Sequence, residues 1–214
     1  MPRSPARRLF FVFISVLLSA LFYLVPKGTV QSVQEIHREP VSSQPVSVET
    51  VSSDSLTVKR VIDGDTFLLS NGEKIRLTGI DTPESHGNQK AKRDSQRSGK
   101  DIGAITQQGK EAAQFVQKLA EGKRVRIEYD VQKRDRYGRL LVYAYDIDTL
   151  QENPQIQLPK GIVVSANREI FLNGSIIGSG YAVPMTIPPN VRHAELFKKL
   201  YSEARSQRRG LWAE

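Results

Sequence analysis

The stretch Val61-Ile62-Asp63-Gly64-Asp65-Thr66, followed by Arg76-Leu77-Thr78-Gly79-Ile80-Asp81-Thr82-Pro83-Glu84, decides how this chain is read. Apolar, strand-like runs alternate here with tight turn chemistry, and Asn71-Gly72 between them is a strong hairpin signal. Strands joined by such turns bring their ends together, so Asp65, Asp81, Glu84 and Arg76 are expected to meet at one spot. Two acids there can hold a hard cation through oxygen ligands. A third can take a proton from water, and an arginine fork can clamp a phosphate. Asp63 is open to two readings, a turn former or a support for its neighbours.

Working outward, the Asp63-Gly64-Asp65 segment is expected as a tight turn or bulge between strands at 56–62 and 66–69. A third strand follows at 73–80. Residues 85–105 are polar and basic, with Lys90, Lys92, Arg93, Arg97 and Lys100. No apolar period runs through them, so a mobile loop able to track phosphates is expected. Ala112, Phe115, Val116 and Leu119 recur at helical spacing and stop at Gly122. Strands are expected at 125–129 and 140–145, joined by the turn Asp135-Arg136-Tyr137-Gly138-Arg139. Residues 148–168 read as an excursion with a short strand at 161–165. A glycine-weakened helix at 169–181 and a firmer one carrying Ala194, Phe197, Leu200, Tyr201 and Ala204 complete the order. Trp212 is expected to pack as a C-terminal plug. The expected architecture is a five-stranded barrel of the OB type with three packed α-helices.

The rest of the chain is organised differently. Arg3, Arg7 and Arg8 precede an uncharged apolar run at residues 9–25. As a helix this run would rise roughly 25 Å at about 1.5 Å per residue, short but sufficient to span a bilayer. The positive flank keeps its side cytoplasmic and places the remainder outside. Residues 1–26 are therefore expected to be an uncleaved signal-anchor, with a cleaved signal peptide as the other reading. Residues 27–55 are rich in Ser, Val, Gln and Pro without a period and read as a linker. Residues 56–214 form the globular domain.

Lys and Arg number 31 against 23 Asp and Glu, a net charge of +8 that favours polyanionic partners. Cysteine is absent, which excludes disulfides, thiol nucleophiles and zinc–thiolate sites. His37, His86 and His193 show no ligand spacing.

Four motifs in order, Val-Ile-Asp-Gly-Asp-Thr (61–66), Arg-Leu-x-Gly-Ile-Asp-Thr-Pro-Glu (76–84), Asp-Arg-Tyr-Gly-Arg (135–139) and Ala-Arg-x-x-x-x-Gly-Leu-Trp (204–212), resemble the thermonuclease family, the staphylococcal-nuclease-like domain. The resemblance implies an OB-fold barrel and calcium-dependent endonuclease cleavage of DNA and RNA, leaving 3′-phosphates. It implies Asp65 and Asp81 as calcium carboxylates, with Thr82 giving a backbone carbonyl. It implies Glu84 as the acid that activates water, Arg76 and Arg139 as phosphate-binding catalytic arginines, and Tyr137 near the nucleotide. Lys90, Lys92 and Arg93 are added from the basic loop as substrate-binding residues. The chain departs from the family in the length of 85–105, in the insertion 148–168, and after Tyr181, where a second nucleotide-contacting tyrosine has no clear match. A monomer acting outside the cytoplasm is expected. The rival reading is a membrane-tethered, non-catalytic nucleic-acid-binding module on the same fold.

Overall fold

The computed structural model describes residues 56–99 and 101–213. The expected signal-anchor (1–26) and linker (27–55) lie outside the described residues. Among those described, no helix is long and apolar enough to cross a membrane.

The first hairpin forms as its turn chemistry requires. Strand β1 (Leu56–Asp63) pairs antiparallel with β2 (Thr66–Leu69), with irregular register around Val61 and Asp63. β2 turns at Asn71-Gly72 into β3 (Lys74–Leu77), and β4 (Gly79–Asp81) follows after one residue. β5 (Arg124–Arg134) runs antiparallel to both β1 and β6 (Leu140–Asp146). A parallel β3–β6 pairing then closes a ring of five strands, and β7 (Ile170–Phe171) adds to β6. Closure removes free strand edges. It also directs Val58, Val61, Phe67, Leu69, Ile75, Leu77, Val125, Ile127 and Val142 into one buried core.

Helices cover the barrel. Helix α2 (Ile102–Ala120) buries Ile105, Gly109, Ala112, Val116 and Ala120 and packs on β1. Helix α4 (Leu172–Gly178) is buried along its whole length, beneath α5 (Ala194–Ser206), which inserts Phe197 and Ala204. Trp212 closes edge-on against Tyr201, with ring centroids 5.6 Å apart, as expected of a plug.

Several elements differ from expectation: the three α-helices expected are five among the described residues, and the strand expected at 73–80 breaks at Thr78 into β3 and β4. Residues 85–105 are not a loop. They carry α1 (Gln89–Ser98) and the start of α2. Asn88 caps α1 by accepting from the Lys90 and Ala91 amides, and Asp101 caps α2 through the Gly103 amide. Ala91 is the residue α1 buries, so the helix rests on its cap and leaves no apolar period to read. The expected strand at 161–165 reduces to one bridge, Val164 to Ile170, and a short helix α3 (Thr149–Glu152) precedes it. The helix expected at 169–181 is trimmed to α4 because Ile170 and Phe171 pair with β6 instead. Finally, β8 (Val183–Met185) pairs antiparallel with β4 and sets Asp81 opposite Val183.

Asn173 fastens α4 to the barrel. Its Nδ2 donates to the Thr78 and Val142 carbonyls at 2.9 and 3.2 Å, and its Oδ1 accepts from the Ala144 amide at 3.0 Å. Its side chain is fully buried. Asn173→Ala takes this partner from the buried Thr78 carbonyl and Ala144 amide, while the Val142 carbonyl keeps the Thr78 amide, so it should lower unfolding free energy by about 2 kcal/mol or more. Urea denaturation checks this. A loss under about 1 kcal/mol would show that the bonds are dispensable.

Candidate active site

The site is built at one end of the barrel from segments that local geometry forces together. The two-residue turn between β1 and β2 pairs Asp63 with Thr66 and projects Asp65 beyond the strands. β2–β3 register sets Thr66 opposite Arg76. Asp81 ends β4 on the backbone bonds to β8. Gly64 lets Thr82 pack directly beneath this turn, since a Cβ there would lie 2.8 Å from the Thr82 hydroxyl. Gly109 plays the same part for Glu84. It lets α2 press its backbone onto the Glu84–Ser85 peptide, where a Cβ would collide with the Glu84 carbonyl.

Arg76 stands at the centre, 8% exposed, beside Asp65, 5% exposed. Its Nη2 lies 3.1 Å from both Asp65 Oδ2 and Asp81 Oδ1. Its Nη1 donates to the Leu77 and Ile80 carbonyls at 2.8 and 2.9 Å. Asp65 Oδ2 also accepts from the Thr82 amide and hydroxyl at 3.1 and 3.2 Å. Asp65 Oδ1 accepts from the Thr66 hydroxyl at 3.0 Å. Both acids are thus oriented by donors that a buried carboxylate needs.

Lys90 is the second cation. Its Nζ lies 3.0 Å from Asp81 Oδ1, 2.8 Å from Glu84 Oε1 and 3.0 Å from the Thr82 carbonyl oxygen. The other Glu84 oxygen accepts from Asn88 Nδ2. Four carboxylates, those of Asp63, Asp65, Asp81 and Glu84, share this end of the barrel with two buried or half-buried cations. The crowding shows in their acidity. Burial, then the Asp65 and Glu84 charges, push the Asp63 carboxyl up to about 6. Burial raises Asp81 above the ordinary carboxylate range despite Lys90 and Arg76. Burial opposes the Lys90 charge, but Asp81, Glu84 and Asp65 outweigh it and hold the ammonium above its ordinary range.

Arg139 is mounted separately on the β5–β6 turn. Asp135 accepts from its Nε at 2.7 Å and from its backbone amide, fixing the fork. Its Nη1 reaches 3.4 Å from Thr66 Oγ1, which links it to Asp65 through one hydroxyl. Tyr137 is 69% exposed with the Arg136 and Arg139 guanidinium groups over its ring. Lys92 and Arg93 are exposed on α1. Lys90, expected alongside them, turns into the acids instead. The structure therefore brings Asp65, Arg76, Asp81, Thr82 and Glu84 together with Lys90. It sets Arg139 at their edge and Tyr137 on the rim. Sequence reasoning assigned no role to Thr66, Asn88, Gly109 or Asp135. Thr66 and Asp135 lie inside the quoted motifs, and Asn88 left a signal as a cap residue ahead of a charged run, whereas Gly109 left none.

Among the described residues, no three His, Cys, Asp or Glu side chains close on one point as a ready metal centre. The candidate set is smaller: two carboxylates and the Thr82 carbonyl, all oxygen donors suited to a hard cation completed by water and phosphate. The Lys90 ammonium, seated on Asp81 and the Thr82 carbonyl, demonstrates that these oxygens accept a cation. The residues fit calcium.

This fold and acid–arginine cluster define a nuclease-type site, and comparison with known proteins agrees. The family described as staphylococcal nuclease homologue matches residues 74–214, which include Arg76, Asp81, Thr82, Glu84 and Arg139. The thermonuclease of Staphylococcus intermedius is 30% identical over 165 residues, covering 76% of this chain and 78% of that protein. The thermonuclease of Staphylococcus hyicus is 26% identical, covering 78% and 80%. Endonuclease YncB of Bacillus subtilis (strain 168) is 26% identical over 199 residues, covering 87% and 78%. The chain belongs to the staphylococcal nuclease family, and is a nuclease of that family.

Gly109→Ala should displace the Glu84–Ser85 backbone while leaving the distant barrel intact. Turnover is expected to fall at least tenfold, since small displacements of a reacting group lose on the order of 10²-fold. Steady-state kinetics beside circular dichroism check this. Unchanged turnover would mean that the close approach does not set the Glu84 position.

Proposed function

We propose that this protein is an exported, calcium-dependent endonuclease that hydrolyses DNA and RNA phosphodiesters with low sequence preference, leaving 3′-phosphates. The observation that carries the reading is the convergence of Asp65, Asp81, the Thr82 carbonyl and Glu84 around Arg76. Asp65, Asp81 and the Thr82 carbonyl would hold calcium, whose chemistry when bound is to polarise the phosphoryl oxygen and offset the charge that repels a nucleophile. Glu84 takes the proton of the attacking water. Arg139 donates to the phosphoryl oxygens from a fork already oriented by Asp135. Arg76 commits much of its fork to Asp65, Asp81 and two carbonyls, so it both holds the acids and lends positive charge to the phosphate. All of these groups address the phosphate and none a base edge, which suits low sequence preference. A non-catalytic binding module would have no use for this acid cluster.

Export rests on the sequence: Arg3, Arg7 and Arg8 ahead of the apolar run 9–25 favour a membrane-anchored chain with its domain outside the cytoplasm. Weak oxygen sites of few charges suit the higher calcium found there.

Assay of single-stranded DNA and RNA with calcium and then with chelator tests the function. Cleavage should require calcium, and Asp65→Ala or Asp81→Ala should abolish it. Glu84→Gln keeps the shape without the base. It should lower kcat by about 10²–10⁴ with little change in substrate affinity. Loss of affinity with turnover retained would make Glu84 a binding residue.

The exposed basic face of α1 gives a separate expectation. Neutralising Lys92, Arg93 and Arg97 should weaken binding of long polynucleotides more than hydrolysis of a dinucleotide. For every phosphate no longer engaged, the log–log salt slope should flatten by roughly one unit or less. Equal effects on both substrates, with an unchanged slope, would reduce α1 to a solvated surface.

A further inference from the structure

We propose that Lys90 is a tethered cation that occupies the calcium seat of the metal-free protein and must withdraw before the ion can enter. The inference rests on the reading of Asp81 and the Thr82 carbonyl as calcium ligands, and extends it to how the site is switched.

Three observations carry it. First, the Lys90 ammonium touches two of the proposed ligand oxygens, Asp81 Oδ1 and the Thr82 carbonyl, each at 3.0 Å. Calcium needs those same oxygens at roughly 2.3–2.6 Å. An ammonium and a divalent ion cannot both hold them, so the two exclude one another. Second, Lys90 sits in the first turn of α1, the end where the helix dipole disfavours a positive charge. That turn contains no acidic residue to offset it. The position is therefore held by the acids across from the helix, not by the helix itself. Third, Lys90 and Asn88 between them engage both oxygens of Glu84. In this arrangement the carboxylate that must receive a proton from water is already occupied. Withdrawal of Lys90 would open the metal seat and release one Glu84 oxygen in the same movement. Because Asn88 caps α1 and Lys90 lies two residues beyond it, that exchange would also disturb the start of a helix whose outer face carries Lys92, Arg93 and Arg97.

The direct test compares the full-length chain with Lys90→Met by calcium titration calorimetry and by thermal melting. If Lys90 holds the seat, Lys90→Met binds calcium roughly tenfold more tightly, the factor expected when the wild-type seat is open about one tenth of the time. In chelator the variant melts below wild type, because four carboxylates are left with Arg76 alone. Saturating calcium closes that gap. Lys90→Gln, which keeps a polar head without the charge, should show the same affinity gain and serves if the Met variant does not fold. Equal calcium affinity in wild type and variants overturns the proposal while leaving the calcium reading standing. Weaker binding in the variants also overturns it, by making Lys90 a support of the bound ion. Calcium binding by none of the chains would overturn the calcium reading itself, and the proposal with it.

Discussion

The Arg76 guanidinium between Asp65 and Asp81 is the interaction on which the site depends. Carboxylates removed from water are unstable unless paired and hydrogen-bonded, and like charges brought close repel. A single nitrogen, Nη2, meets both acids at 3.1 Å and so ties the β1–β2 turn to the end of β4. The same fork's Nη1 holds the Leu77 and Ile80 carbonyls, which fixes the break between β3 and β4. Without that charge, Asp65 and Asp81 would be held together by backbone geometry against their own repulsion, with Lys90 pairing Asp81 and Glu84 but not Asp65.

The surrounding architecture keeps this cluster from relaxing. β8 pins the Asp81 backbone from one side, and Thr82 fits under the turn from another. Helix α2 presses on Glu84 from behind at Gly109. Arg139 is held apart, on a turn braced by Asp135, so it faces the cluster without joining it. The 148–168 insertion is tied off on β5, where Arg124 pairs with Asp148 and Arg126 with Glu169. It thus lengthens the chain without interrupting the strands that carry the site.

Much of this was legible in the sequence because short-range geometry determines it. A two-residue turn at Gly64-Asp65 and a hairpin at Asn71-Gly72 leave little choice about where Asp65, Arg76 and Asp81 go. The helix carrying Ala112 and Val116 was equally plain, since its period is the burial pattern itself. Helix α1 was not legible: it buries Ala91, depends on the Asn88 cap, and otherwise resembles a solvated charge run. β8 was hidden because three residues containing Pro184 show no alternation. Lys90 is indistinguishable in sequence from its basic neighbours, because sequence gives a lysine its charge but not its direction. Its inward turn follows from acids that lie nearby only after the barrel closes.

A crystal structure of the chain with calcium and a phosphorothioate dinucleotide, with anomalous data to locate the ion, would show directly whether Arg76 and the acids around it form a calcium and phosphate site. An anomalous peak is expected among Asp65, Asp81 and the Thr82 carbonyl. The phosphorothioate should lie within reach of Arg76 and Arg139, with Lys90 clear of the seat. An ion bound elsewhere, with the Lys90 ammonium still on Asp81 and Glu84, would contradict that assignment.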